Sequence, residues 1–225
     1  MNRGCIIVAG GNGSRMGSEV PKQFISIAGR PLLMHTIENF FHFDATIQLI
    51  VVLPKNEAAS WKNLCLQHNL TIPHQVISGG NTRFQSVKNG LTMLHDCELI
   101  AIHDGVRPLV SHETLRRCFD SALKVGAAIP VLPVNESRRV GTMDKSSPAD
   151  RSQIFLVQTP QIFQSSIIRE SYNQSWIPEF TDDASVVEYS GKPVNMVMGN
   201  RENIKITYPE DLDIATLLLQ NKIYA

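Results

Sequence analysis

Between Ile6 and Gln23 the chain reads IIVAGGNGSRMGSEVPKQ, with glycines at Gly10, Gly11, Gly13 and Gly17, Arg15 among them and Lys22 just beyond. Glycine permits a positive φ and lets another group come close to backbone N–H donors. Two cations beside such donors make a place for a polyanion, and a phosphate chain is the natural guest. The plainer reading is a tight turn with both cations solvated. A dinucleotide fingerprint fits poorly. Gly11 and Gly13 satisfy G-x-G, but Met16 holds the third glycine position and Gly17 comes one residue late. No acid ends a second strand about 20 positions on, because Glu38 falls inside a helical pattern. This weakens a nicotinamide-dependent oxidoreductase. No G-K-[ST] follows, so the loop is not a Walker loop either.

Further cations stand at predicted strand ends: Arg83, Arg107, Arg151 and Lys205. The best-placed acid is Asp104. No serine sits in a G-x-S-x-G elbow, and the cysteines fall in predicted strands or helices, so a nucleophile paired with its base is missing. One carboxylate together with phosphate donors suggests Mg²⁺ held mostly by the substrate's own oxygens. A phosphate monoester attacking the α-phosphorus of a nucleoside triphosphate suits these parts, because the nucleophile is already anionic and needs no general base. The difficulty is repulsion between the two anions. Each unit-charge pair at about 4 Å repels by roughly 1 kcal/mol in water and about 4 at an effective dielectric near 20. Arginine and lysine clamps with a metal offset that repulsion. His103, beside Asp104 at the end of an apolar strand, reads first as a packed, hydrogen-bonded core residue. Asp182 and Asp183 read first as helix-capping groups, with a role near the metal second.

Those residues need elements to position them. Ile6 to Ala9 is a short buried strand. Leu33, Ile37, Phe40 and Phe41 form one helical stripe after Gly29-Arg30-Pro31. Leu49 to Leu53 (LIVVL) is a strand apolar enough for a sheet buried on both faces. Glu57 to His68 predicts a helix and Gln75 to Ile77 a brief strand. Ser78 to Arg83 is a second glycine turn, opening a helix with Val87, Leu91 and Leu94 inside. Leu99 to Ile102 is a strand stopping at His103-Asp104-Gly105. Ser111 caps a helix running to Val125, and Ala127 to Val134 returns as a strand. The alternation predicts an α/β fold built on a doubly wound, mostly parallel sheet. Ligands in such sheets sit beyond the carboxyl ends of strands, so the loops at Gly10, Gly79 and Asp104 should converge on one crevice.

From Asn135 to Arg151 the chain is polar and aperiodic, carrying Arg138, Arg139 and Arg151. A structureless loop of that length is uncommon in a compact domain, so a protruding β-arm at about 135–152, packing on a second subunit, is expected. Phe155 to Val157 predicts a strand, followed by Gln158-Thr159-Pro160-Gln161 and then a helix to about Asn173. Thr181 should cap the helix that Asp182 and Asp183 begin. Val194 to Met198 and Asn203 to Thr207 read as short strands. Pro209 opens a final helix with Leu212, Ala215, Leu218 and Leu219 inward.

At 225 residues and 43% apolar content, one domain with a substantial core is expected over residues 1–225. The 21 basic and 21 acidic residues cancel, so no global field draws the chain to nucleic acid or membranes. Any anion site must be a local cluster. No apolar run reaches membrane-span length. Cys5, Cys65, Cys97 and Cys118 form no C-x-x-C pair, and scattered thiols fit the cytoplasm.

Six blocks in order, AGGNGSRMG with PKQ, SGGNTRFQSV, HDGVRP, DRSQIFLVQTPQ, TDDASVVEY and NIKITYPEDL, span nearly the whole chain. In them the chain resembles the 2-C-methyl-D-erythritol 4-phosphate cytidylyltransferases, CTP-dependent enzymes of the non-mevalonate isoprenoid pathway. The resemblance implies a Rossmann-like nucleotidyltransferase domain, a homodimer with shared active sites, and Mg²⁺-dependent transfer of CMP from CTP to the polyol phosphate, with loss of pyrophosphate. It makes Arg15 and Lys22 stabilisers of the transition state. Ala9, Gly10, Gly11, Gly80 and Ser86 would line the cytidine pocket, with Gly13 in the same loop. Asp104 would meet ribose and metal, with Gly105 beside it. Arg151 from the partner's arm, Thr159, Thr181 and Lys205 would hold the sugar phosphate, with Arg107 and Ser137 on the same side. Two blocks depart from the family pattern. Val8-Ala9-Gly10-Gly11 replaces P-A-A-G, and Glu136-Ser137-Arg138-Arg139 replaces D-T-[IM]-K while keeping a hydroxyl at Ser137. Ribitol 5-phosphate cytidylyltransferases share most of the blocks and supply the alternative acceptor. A nucleotide-binding module without turnover is the alternative of another class.

Overall fold

The structure is a computed structural model and describes residues 2–11 and 20–221. Its centre is one sheet. Strands β1 (Arg3–Val8), β4 (Gln48–Leu53), β5 (Gln75–Ser78) and β6 (Leu99–Asp104) pair in the order β5-β4-β1-β6, all parallel. Beyond β6 lies β11 (Gln161–Gln164), antiparallel to it and to β7 (Ala127–Pro133), so β7 runs with the parallel set. β10 (Phe155–Val157) pairs antiparallel with the far end of β7, and β12 (Asn195–Met198) pairs parallel along its other edge. Only β10 and β11 oppose the rest among the described strands of this sheet. The mostly parallel, doubly wound α/β sheet is as expected.

Alternate residues of the central strands face opposite layers. Cys5, Ile7, Leu49, Val51, Leu99 and Ala101 pack with α1 (Leu32–Phe43), α2 (Ala58–Gln67) and α4 (His112–Val125) through Ile37, Phe40, Trp61 and Phe119. Ile6, Ile50, Val52, Ile100 and Ile102 pack with α3 (Arg83–Leu91), α5 (Ser165–Ser171) and α6 (Asp183–Tyr189) through Phe84, Val87, Ile168 and Val187. Gly90 allows α3 to lie close, since a Cβ there would stand 2.7 Å from Ile6 Cγ2. A third cluster joins Ile27 of the short β2 (Ser26–Ile27), which pairs with β3 (Arg30–Pro31), to Leu109, Ile206 and Ala215 of α7 (Pro209–Gln220). The polar segment after β7 folds back as a hairpin, β8 (Arg138–Gly141) against β9 (Ser146–Ala149), most of it exposed. No helix of the described residues is long and apolar enough to cross a membrane.

Three local expectations are corrected. Gln161–Gln164 is a strand, not the start of a helix: its backbone completes the ladder between β6 and β7, and the helix begins only at Ser165. Asn203 to Thr207 forms no strand; it is held instead by the bond from Ile206 N–H to the Val106 carbonyl (3.0 Å) and by the buried Ile206 side chain. The N-cap of α6 is Asp182, not Thr181: its carboxylate accepts the Ser185 N–H at 2.9 Å while the Ser185 hydroxyl answers the Asp182 N–H.

Candidate active site

The registers Val8↔Asp104, Val8↔Val52 and Leu53↔Ser78 bring the ends of four strands to one edge. A cavity of about 310 Å³ opens there, lined by Ala9, Gly10, Gly11, Lys22, Gln23, Gly80, Asn81, Thr82, Arg83, Ser86, Asp104, Val106 and Lys205 among others. The expected convergence of the loops after β1, β5 and β6 is therefore present. Lys22 and Gln23 reach the cavity from a 3₁₀ turn, Lys22–Phe24, whose Phe24 is anchored by stacking on Trp61 at 5.8 Å. The Gly80 loop is shaped by Ser86, whose hydroxyl accepts the Gly80 N–H at 3.1 Å and donates to the Thr82 carbonyl at 3.0 Å. Thr82 then caps α3, accepting the Gln85 N–H at 3.0 Å, which sets Arg83 at the helix start.

Asp104 is the carboxylate of the described cavity wall. Lys205 Nζ lies 3.0 Å from one of its oxygens and Arg107 Nε 3.3 Å from the same one, while Arg83 Nε is 3.8 Å from the other. Burial pushes its pKa up, but Arg83, Lys205 and Arg107 more than offset that and hold it well below the usual carboxylate range. Arg83 is anchored from behind, its guanidinium forking onto Asp183 at 2.8 and 2.6 Å while the Tyr172 hydroxyl donates to the same carboxylate at 2.6 Å. Burial disfavours the Arg83 cation; Asp183 and Asp104 outweigh it and raise its pKa. At Arg107 burial prevails over the pull of Asp104 and lowers it. Burial also lowers His103 to about 4, so the ring is neutral. His103 is fully buried with Phe40 edge-on at 4.9 Å, as a packed core histidine should be.

Of the residues singled out in sequence, the structure gathers Ala9, Gly10, Gly11, Lys22, Gly80, Arg83, Ser86, Asp104 and Lys205 around the cavity. Gly13 and Arg15 lie outside the described residues. Gly105 sits behind the wall, its N–H on the Val8 carbonyl at 2.9 Å, where a Cβ would approach the Ala9 Cβ to 2.9 Å. Arg107 reaches Asp104 without lining the cavity, and Thr159 is buried behind Asp104 with its hydroxyl engaged. Thr181 is exposed at the start of α6, and Ser137 and Arg151 belong to the arm, where Arg151 Nη1 donates to the Asn135 carbonyl. Gly10 and Gly11 do not adopt positive φ, and a Cβ on either meets nothing within 4 Å among the described residues. Their small size serves access rather than a strained turn.

Sequence reasoning passed over Gln23, Asn81 and Thr82 in the wall and Tyr172 behind Arg83, and it read Asp183 as a helix-capping acid where the structure makes it the partner of Arg83. Gln23 had a signal in the PKQ block. The pairing of Asp183 with Arg83 had none, since the two stand 100 positions apart.

Among the described residues no three His, Cys, Asp or Glu side chains are grouped to hold a metal. A single carboxylate beside an anion cavity suits Mg²⁺, which is bound through one or two carboxylates plus substrate phosphates and water.

The family model described as IspD, 2-C-methyl-D-erythritol 4-phosphate cytidylyltransferase, matches residues 4–221. A relative with that name from Bacteroides thetaiotaomicron is 50% identical over 219 residues, covering 97% of this chain and all of the relative (100%). Another from Syntrophus aciditrophicus is 39% identical over 223 residues, covering 96% of this chain and 95% of the relative. The crystal structure of 2-C-methyl-D-erythritol 4-phosphate cytidylyltransferase from Thermus thermophilus superposes with a TM-score of 0.80 at 29% identity, over 98% of this chain and 100% of that one. With its cavity, its ordered motifs and these likenesses together, the chain belongs to the IspD family of 2-C-methyl-D-erythritol 4-phosphate cytidylyltransferases.

Proposed function

We propose that the chain transfers CMP from CTP to 2-C-methyl-D-erythritol 4-phosphate, giving CDP-methylerythritol and pyrophosphate in the non-mevalonate isoprenoid pathway. One observation carries this reading: Lys22, Arg83 and Lys205 meet at a single cavity beside one acid, Asp104. A phosphate oxygen of the sugar attacks the α-phosphorus; the new P–O bond forms as the bond to the bridging oxygen breaks, and pyrophosphate leaves with that electron pair. No proton need move. Lys22 faces the charge that accumulates in transfer, and the family resemblance gives Arg15 the same role. Lys205, paired with Asp104 at 3.0 Å and 45% exposed at its side chain, would offer its ammonium to the incoming phosphate. Gly10, Gly11, Gly80 and Ser86 form the nucleotide side of the wall. Bound Mg²⁺, held by Asp104 and phosphate oxygens, would add Lewis-acid charge neutralisation.

The remaining groups, Arg151 and Ser137, would come from a partner's arm. The exposed hairpin and the exposed apolar side chains of Phe155 (38%), Leu156 (49%) and Met198 (56%) near its root support a homodimer. Four free cysteines, Cys5, Cys65, Cys97 and Cys118, fit a cytoplasmic setting.

The test is pyrophosphate release with CTP, Mg²⁺ and either methylerythritol phosphate or ribitol 5-phosphate. Turnover with the former by a wide margin is expected. Preference for ribitol 5-phosphate would transfer the assignment to the alternative acceptor, and silence with both would remove it. Shared sites are tested by mixing Lys22→Ala with Arg151→Ala protein: activity should reappear, since one site of the mixed dimer is intact, and lack of rescue would place Arg151 outside its neighbour's site.

A further inference from the structure

Thr159 and His103 are not among the residues that line the cavity, yet they hold the turn that carries Asp104 and the segment that carries Lys205, an ion pair in its wall. The direction of every bond in this cluster is fixed. The Arg107 carbonyl, 2.9 Å from His103 Nε2, can only accept, so Nε2 carries the proton. Nδ1 is then an acceptor, and the Thr159 hydroxyl at 3.0 Å must donate to it. That leaves the Thr159 oxygen to accept the Asp104 N–H at 3.1 Å. One hydroxyl and one imidazole thus clamp the first and last residues of the turn Asp104–Arg107, itself closed by the Arg107 N–H on the Asp104 carbonyl at 3.1 Å.

The same threonine also grips the segment that carries Lys205. Its carbonyl accepts from Asn203 Nδ2 at 2.8 Å, and the Asn203 carbonyl accepts from Arg107 Nη1 at 2.8 Å and Gln158 Nε2 at 3.2 Å. The backbone segments that carry Asp104 and Lys205, whose side chains lie 3.0 Å apart, are therefore held by a common pin. We infer that Thr159 and His103 are positioning residues for the transfer, holding the Asp104 turn and the Lys205 segment in mutual register. Thr159 then acts through its neighbours rather than by contact with the sugar phosphate. The inference rests on the reading of Asp104 and Lys205 as site groups.

Two measurements test it. Long-range ¹⁵N–¹H spectra of the full chain report the ring tautomer whether or not the protein turns over. His103 protonated at Nε2, with Nδ1 bare and shifted in Thr159→Val, is expected; protonation at Nδ1 would overturn the relay. Steady-state kinetics with CTP and methylerythritol phosphate then ask what the relay does. Thr159→Val should lower kcat by about 10- to 10²-fold, the scale of a sub-ångström to ångström misplacement. The KM for the sugar phosphate should stay within about twofold, and Thr159→Ser should restore kcat. In a His103→Gln background the further loss from Thr159→Val should largely vanish, as for residues in one network. A raised KM for the sugar phosphate at unchanged kcat would make Thr159 a direct contact and overturn the inference. If His103→Gln does not fold, the Val and Ser variants at Thr159 still decide. A wild-type protein silent with both substrates, but with the expected tautomer, would remove the proposed function and leave the clamp in place.

Discussion

Asp104 stands with Lys205, Arg107 and Arg83 at 3.0, 3.3 and 3.8 Å. A single such pair attracts by about 4 kcal/mol at an effective dielectric near 20, while withdrawing each ion from water costs several. The cluster thus adds little net stability, but it keeps positive charge poised at the cavity. Arg83 is held there chiefly by Asp183, fully buried, which supplies the larger part of its counter-charge, with Asp104 adding to it. Asp183→Asn should therefore lose about 3 to 5 kcal/mol of stability, the scale for stranding one partner of a buried ion pair. Tyr172→Phe, which deletes one hydrogen bond to the same carboxylate, should lose about 1 kcal/mol. Urea denaturation reads both; equal losses would mean that the ion pair contributes nothing beyond the hydroxyl. Asp104 was legible in sequence because loops at strand ends converge in this fold class, and Lys22 and Lys205 because they stand in the motif blocks PKQ and NIKITYPEDL, although Lys205 lies on no strand. The Arg83–Asp183 pair and the clamp at Thr159 were not, since pairing across the fold has no local signature.

The elements around the site divide by how much of their signal is periodic. The parallel core strands and α1, α3, α4 and α7 follow from apolar runs and helical stripes. β11 was hidden because Gln161-Ile162-Phe163-Gln164 leads straight into α5, and four residues carry no period of their own. Asn203 to Thr207 alternates like a strand but packs its buried Ile206 against the turn after β6, with the Ile206 N–H on the Val106 carbonyl instead of on a ladder. The glycine loop after β1 allows a direct test of purpose. Gly10→Ala should fold with wild-type stability, since its Cβ meets no described atom within 4 Å, yet lose CTP affinity by about tenfold or more because the loop faces the cavity. Unchanged affinity would show that the nucleotide lies elsewhere. At the end of β6, burial holds His103 at about 4 against an ordinary 6.5. The unfolded chain takes up the proton first as pH falls, so this contribution is complete above about pH 6.5 and is lost progressively towards pH 4, by about 3 kcal/mol in all. Denaturation midpoints at pH 7 and pH 4.5 should differ more in the wild type than in His103→Gln; equal differences would show that the ring titrates freely.

For the whole molecule, a net charge of zero leaves no long-range steering, so anion affinity comes from local geometry and resists salt better than a uniformly basic surface would. The arm and the exposed apolar strip beside it belong to this scale, because the proposed site would draw Arg151 and Ser137 from a second chain. What the cations do is the central question, and Lys22→Ala with pre-bound CTP answers it most directly. In single-turnover pyrophosphate release, catalysis by charge stabilisation predicts a rate lower by about 10²- to 10³-fold, with the Kd for CTP changed by less than about tenfold. A Kd weakened as much as the rate, or a rate that does not fall, would contradict it.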